Sequence, residues 1–321
     1  MQPDDPRLDA IRASLRRHWH LRPSAVVEMP AGWMSRAWAV RDDSGLYVVR
    51  LVDDVARQPF EAGLAAAQHL HDAGFTIGEP VRTLGGSLTA AAPDGTLGLV
   101  RRVPGDLLDG RDPVDQRWWG ERLAAAHAAL TGFTHRGLQR WHWLHPDAAH
   151  LTVEPWLRPA VADAVAALTR LTVADQLTYG VLHGDPAPEA FVVDGRTGRT
   201  GIVDWGPCGT GPLVYDLAAA VAYAGGPGAA GDLIDAYVSA GPVGRDEVEA
   251  ALPVLLRFRW AVQADWHARR LAIGAAPGGA PGALPDAAPA AVPRQARVTE
   301  PEPDTDRAHL DAAREALETP C

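Results

Sequence analysis

Two aspartates flank a predicted hairpin. In "HGDPAPEAFVVD", Asp185 precedes the apolar run "AFVV"; in "TGIVDW", Asp204 closes a second apolar run, and a Gly-rich turn joins the two. Short apolar runs around such a turn pair as antiparallel strands, which brings both carboxylates toward one cleft. That arrangement suits phosphoryl transfer, which asks little covalent chemistry of a protein. One carboxylate orients an attacking hydroxyl and accepts its proton, and the other holds a divalent cation on the phosphates. Asp185 reads as the first and Asp204 as the second. A lone loop aspartate would carry no such meaning; the pairing of His-Gly-Asp with Ile-Val-Asp-Trp at this spacing does.

The elements that must position this pair predict an α+β chain with a β-rich front and a helical back, meeting near Pro104. A helix over residues 1–21, with Asp9 as cap and Ile11, Leu15 and His18/Trp19 on one face, opens the chain. Residues 22–103 read as an antiparallel sheet plus one helix: "AVVEMP", "AWAVRDD" and "LYVVRLV" are strands, Asp43-Ser44-Gly45 is a turn, and "PFEAGLAAAQHLHDAGF" is a helix stopped at Gly74. Residues 104–273 are mostly helical, interrupted by the strands around the two aspartates. Residues 274–321 form a Pro/Ala/Gly-rich tail whose composition predicts disorder, ending in "DTDRAHLDAAREALET", a short helix capped by Thr305 or Asp306 and marginal by itself.

Composition narrows the function. At 321 residues and 47% hydrophobic content the chain supports a large core, and no apolar run is long enough to span a membrane. The charged N-terminal stretch has no signal-peptide core, so the expected location is the cytoplasm, without a membrane partner. Two cysteines, Cys208 and Cys321, read as free thiols. A net charge of −10 argues against a nucleic-acid partner and for a cationic or neutral small substrate. All 30 basic side chains other than histidine are arginine, so no catalytic lysine exists.

The segment "HGDPAPEAFVVDGRTGRTGIVDWGPCGTGPLVYDLA" resembles the aminoglycoside phosphotransferase and choline kinase family, relatives of the protein kinases, and the likeness extends through "YVVRLV", "LHDAGF", "LVRRVPGDLL" and "RLAAAHAAL" over roughly residues 22–270. The resemblance implies a two-lobed kinase-like fold, ATP or GTP as co-substrate with Mg²⁺, and an acceptor hydroxyl. It gives Asp185 as the catalytic base and Asp204 as the metal ligand. Arg50 stands where kinases place a phosphate-pairing lysine, with a fork able to grip phosphate oxygens bidentately. Gly32 and Ser35 fall in the turn expected over the phosphates, and Arg101 to Val103 in the adenine hinge. Glu61 is a candidate partner for Arg50, although the family's glutamate column falls nearer Gly63. One position departs from the family: Ala190 replaces the usual metal-binding Asn, which leaves a second metal site lost, completed by water, or served by Glu189.

Other features carry less. "GPGAAG" at 226–231 matches a dinucleotide motif but follows a helix, so it reads as a loop. His135, His142, His145 and His150 lack metal-ligand spacing, and Trp141 and Trp143 read as packing on the helical lobe or lining the acceptor side; Asp265 and Trp266 are further acceptor candidates, and His183 reads as a brace for the catalytic loop. The expected function is an O-phosphotransferase acting on a small hydroxylated metabolite. A Ser/Thr kinase for a biosynthetic peptide and a nucleotide-binding pseudokinase stay open, the latter with a protein partner held through the Trp/His-rich segment 133–150 or the tail.

Overall fold

Helix α1 (Pro6–Trp19) turns Ile11, Leu15 and Trp19 inward, as their spacing demands, onto a five-stranded antiparallel sheet. The computed structural model describes residues 6–29, 35–141, 144–174, 177–274 and 303–318. The helix begins earlier than Asp9, which lies in its first turn, where a carboxylate favours the helix dipole without capping it. The Trp19 indole N–H donates to the Val81 carbonyl at 2.8 Å and ties the helix to the sheet.

The sheet contains β1 (Ala25–Glu28), β2 (Arg36–Asp42) and β3 (Gly45–Val52), and is completed beyond helix α2 (Arg57–Asp72) and strand β4 (Thr76–Ile77) by β5 (Thr89–Ala92) and β6 (Gly95–Arg101). Its order is β1-β2-β3-β6-β5. The β2–β3 hairpin turns where expected, with the Asp42 carboxylate accepting from the Ser44 amide and hydroxyl. Inward Trp38, Val49, Leu97 and Leu99 form the sheet's buried face.

Strand β7 (Asp106–Leu107) leads into helix α3 (Pro113–Ala129), which is capped by Asp112 and has Pro113 in its first turn. There follow β8 (Gln139–Arg140), α4 (Leu157–Ala174), β9 (Tyr179–Leu182), β10 (Phe191–Asp194), β11 (Arg199–Ile202) and β12 (Gly209–Pro212). Helices α5 (Val214–Tyr223), α6 (Gly231–Ala240), α7 (Arg245–Gly274) and α8 (Pro303–Glu318) complete the chain. The expected β10–β11 hairpin forms, with Phe191 opposite Ile202, inside a sheet ordered β4-β11-β10-β7; β8, β12 and β9 make a third sheet. One large apolar cluster joins α3 to α8 and takes in Ala66, Ala67 and Leu70 of α2, so α2 packs toward the β10–β11 hairpin as well as the front sheet.

The tail needs correction at its end. Residues 275–302, expected to be disordered, lie outside the described residues, but α8 is no marginal appendage. Leu310, Ala313 and Leu317 are buried against the large cluster. Asp306, expected as a cap, lies inside the helix, 1% exposed, bonded to Arg270 at 2.6 Å and His267 at 2.9 Å. Tertiary burial supplies what the isolated helix would lack. Among the described residues no helix is long and apolar enough to cross a membrane.

Candidate active site

Asp185 follows β9, and the turn that carries it is held from behind. Asp216 of α5, fully buried, accepts the backbone N–H of His183 at 2.6 Å and of Gly184 at 3.0 Å, and His127 Nε2 donates to it at 3.0 Å. The His127 Nδ1 is 2.8 Å from the Tyr237 hydroxyl, whose pKa is driven well up by burial and by the Asp216 charge. His183 is completely buried, donates from Nε2 to the Val203 carbonyl at 2.9 Å, and so links the Asp185 turn to the strand that ends in Asp204. Trp119 adds a third brace, its indole N–H donating to the Pro186 carbonyl at 3.1 Å. Gly184, at φ +89°, lies so close to Pro207 that a Cβ there would sit 2.3 Å from the Pro207 carbonyl oxygen. A side chain at 184 would push the two carboxylate-bearing segments apart.

Asp204 adopts φ +66°, a left-handed conformation that aspartate tolerates better than most residues and that turns the chain out of β11. Its carboxylate meets Arg50 of β3 at 2.9 Å, and the other arm of that guanidinium donates to the Ser35 hydroxyl at 3.0 Å. Ser35, Arg50, Phe60, Asp185, Asp204 and Pro207 line one cleft open to solvent. The structure thus brings together four of the residues singled out from the sequence.

The others fall elsewhere. Gly32 lies outside the described residues. Glu61 does not pair with Arg50: its carboxylate accepts from Thr89 at 2.7 Å and Arg57 at 3.0 Å, and although burial opposes the charge these bonds hold its pKa low. Gly63 instead faces the backbone that follows Asp204: a Cβ there would lie 2.0 Å from the Trp205 carbonyl oxygen. Arg101 extends away from the cleft to Glu79 at 3.1 Å and over the Tyr47 ring, and the Val103 side chain lies beside Gly201; neither residue lines the cleft. The backbone amides of Arg101 and Arg102 are already bonded, to the Glu79 and Leu46 carbonyls. Ala190 is 4% exposed in the apolar cluster beside Phe191 and Ile202, and Glu189 points to solvent.

The aromatic and histidine segment is mainly structural. Trp141 packs tilted against Tyr215 and edge-on to Phe258 in the core, while His142 and Trp143 lie outside the described residues. Asp265 is withdrawn from any acceptor, buried and bonded to His150 at 2.6 Å and Arg269 at 2.7 Å; these partners keep its pKa low against a burial that would raise it. Trp266 is also buried, and "GPGAAG" is the loop between α5 and α6. Among the described residues no cluster of three or more His, Cys, Asp or Glu side chains forms a metal cage.

Two functional candidates escape a reading of the sequence. Arg259 of α7, 2% exposed at its side chain, donates to Asp185 Oδ1 at 2.9 Å and to the Tyr223 hydroxyl at 2.8 Å; Tyr223 in turn donates to Asp185 Oδ1 at 2.7 Å. A signal for Arg259 was present: a guanidinium on a helical stripe with Leu255, Leu256 and Val262, all buried, demands an anionic partner. Nothing in the sequence names that partner.

Comparison with known proteins now adds to this geometry. The sequence pattern of the phosphotransferase enzyme family matches residues 25–251. The chain belongs to that family. Among solved structures, this phosphotransferase is similar to an amicoumacin kinase in complex with AMP-PNP, Ca²⁺ and Ami (15% identity, 98% of this chain and 93% of that one, TM-score 0.69). It is similar to a microcompartment-associated aminopropanol kinase (17% identity, 97% and 95%, TM-score 0.71). A choline kinase from Streptococcus pneumoniae has the same fold (12% identity, 98% and 99%, TM-score 0.62). No curated protein matches the sequence significantly. The family makes this chain a phosphotransferase, and the solved kinases share its fold.

Proposed function

We propose that this phosphotransferase moves the γ-phosphoryl group of ATP or GTP to a hydroxyl of a small metabolite, with Asp185 orienting the attacking hydroxyl and accepting its proton. The observation that carries the reading is the meeting of Asp185, Asp204, Arg50 and Ser35 on one cleft. Arg50 is the phosphate clamp: its two arms already present a fork, and phosphate oxygens can replace the Ser35 and Asp204 oxygens without repositioning β3. Ser35 supplies a further donor to phosphate. The amide of Val103, next to the engaged amides of Arg101 and Arg102, is the hinge donor for the purine base. The net charge of −10 favours an acceptor that is cationic or neutral.

The residues present fit a magnesium ion. Its preference is for one or two carboxylates, with phosphate and water oxygens completing an octahedron, and no all-protein cage is needed. Asp204 would hold it. When bound, the ion would supply positive charge to offset that of the phosphates. The buried methyl of Ala190 supplies no oxygen, which makes the pseudokinase the second reading.

Label transfer from [γ-³²P]ATP and GTP with Mg²⁺ tests the proposal against choline, aminopropanol, kanamycin, spectinomycin and Ser/Thr peptides. Transfer to a small acceptor is expected, lost in Asp185→Asn with nucleotide binding largely kept, and lost together with nucleotide binding in Asp204→Asn. Nucleotide binding without transfer to any acceptor would favour the pseudokinase. Equal loss of nucleotide affinity in both variants would overturn the division of roles.

A further inference from the structure

Among the described residues, Asp185 is gripped on one side only. Its Oδ1 takes two donors, the Arg259 guanidinium at 2.9 Å and the Tyr223 hydroxyl at 2.7 Å, and Arg259 also donates to Tyr223 at 2.8 Å, which closes a triangle. The three residues come from three places: the turn after β9, the end of α5, and the middle of α7. Arg259 lies behind the carboxylate with its side chain 2% exposed, while Asp185 keeps 23% of its own surface and lines the cleft. An ordinary surface carboxylate would have no such backing.

We infer that Arg259 and Tyr223 are positioning residues that lock Asp185 through Oδ1 and leave Oδ2 as the atom presented to the acceptor hydroxyl. The inference rests on the proposed phosphotransferase function and extends it to residues that line no part of the nucleotide cleft. A carboxylate with one oxygen held by two donors cannot rotate about its Cβ–Cγ bond without breaking both. Phosphoryl transfer depends on placing the attacking oxygen in line more than on a strong base. In the step itself, the acceptor oxygen bonds to the γ-phosphorus and the bond from that phosphorus to the β–γ bridging oxygen breaks. The hydroxyl proton passes to Oδ2, and the nucleoside diphosphate leaves with the bond's electron pair. Arg259 stays a cation throughout, because a guanidinium does not deprotonate in proteins. Tyr223 stays a donor: burial and the Asp185 charge push its phenol well above the ordinary range, outweighing the opposing pull of Arg259.

The test compares Arg259→Met, Arg259→Lys and Tyr223→Phe with wild type, following phosphate release from MgATP with water as acceptor and label transfer to the panel above. Arg259→Met is expected to lower kcat about 100-fold with KM for MgATP nearly unchanged. Arg259→Lys should recover part of that loss, and Tyr223→Phe should cost about ten-fold. A merely structural arginine would lower stability and leave the kcat of the folded fraction intact. Melting temperatures of Asp185→Asn, Arg259→Met and the double variant give a second readout: because Asp185→Asn takes the anion from the buried Arg259 and the double variant removes that cation as well, the double variant is expected to melt well above the additive value. Active wild type with unchanged kcat in folded Arg259→Met, or strictly additive melting shifts, would overturn the inference alone. A wild type silent toward water and every acceptor would overturn the function on which it rests.

Discussion

Arg50 joins two parts of the cleft that come from different regions of the chain. From β3 it holds Ser35, at the start of the front hairpin, and Asp204, at the end of β11 in the helical half. Without phosphate, the cation and the carboxylate neutralise each other, so the cleft does not expose an isolated charge of either sign. Arg50→Ala should therefore act twice: it removes the phosphate fork and leaves the Asp204 carboxylate uncompensated. The rise in melting temperature produced by excess MgATP is expected to shrink by more than half, since a ligand that binds the folded state stabilises with the logarithm of one plus its concentration over its Kd. Melting curves with and without 5 mM MgATP (about physiological excess over a micromolar to millimolar site) check this, and an unchanged shift would remove Arg50 from the phosphate site.

At the scale of elements, the approach of α2 to the Asp204 segment decides the shape of the cleft. Gly63 permits it, and Gly63→Ala would drive a methyl to within 2.0 Å of the Trp205 carbonyl oxygen. The helix must retreat or the segment must shift, at a cost of roughly 1–3 kcal/mol. The expected result is a lower melting temperature together with weaker Mg²⁺-dependent nucleotide binding, read by thermal melting and by nucleotide titration at fixed Mg²⁺. Much of this level was legible beforehand. Alternating side chains gave β2 and β3, turn residues gave their hairpin, and the runs around Asp185 and Asp204 gave the β10–β11 pair. What stayed hidden was which faces meet. Two residues of helix turn the side chain by about 200°, enough to separate Glu61, bound to Thr89, from Gly63, packed on Trp205. Arg259 was hidden for a related reason: periodicity marks it as inward, but its partner Asp185 is 74 residues away and is specified only by how α5 and α7 pack.

For the whole molecule, α8 changes what the end of the chain means. Its Asp306 sits between Arg270 and His267 of α7, with His309 stacked on His267 at 4.6 Å. Asp306→Ala should destabilise the protein by about 3 kcal/mol, because it removes a buried carboxylate from its cationic partner. The same contact predicts a pH dependence. Burial lowers the His267 pKa below the usual 6.5, assisted by His309 and Arg270 and opposed by Asp306. The neutral imidazole therefore belongs to the folded state, and the stability this gives is present above pH 6.5 and lost as pH falls through the lower folded value. Melting temperatures from pH 7.5 to 5 should decline more steeply in wild type than in a variant lacking 303–318; parallel curves would show that His267 contributes nothing. The docking also has a place in time. Arg270 and Asp306 are 36 residues apart, which at about 5–20 residues per second is an interval of roughly 2–7 s during synthesis. Through that interval the growing chain already holds both cleft aspartates and α7 as far as Arg270, yet the surface that receives α8 stays open to water and to other chains. Among the described residues, only α8 closes that surface.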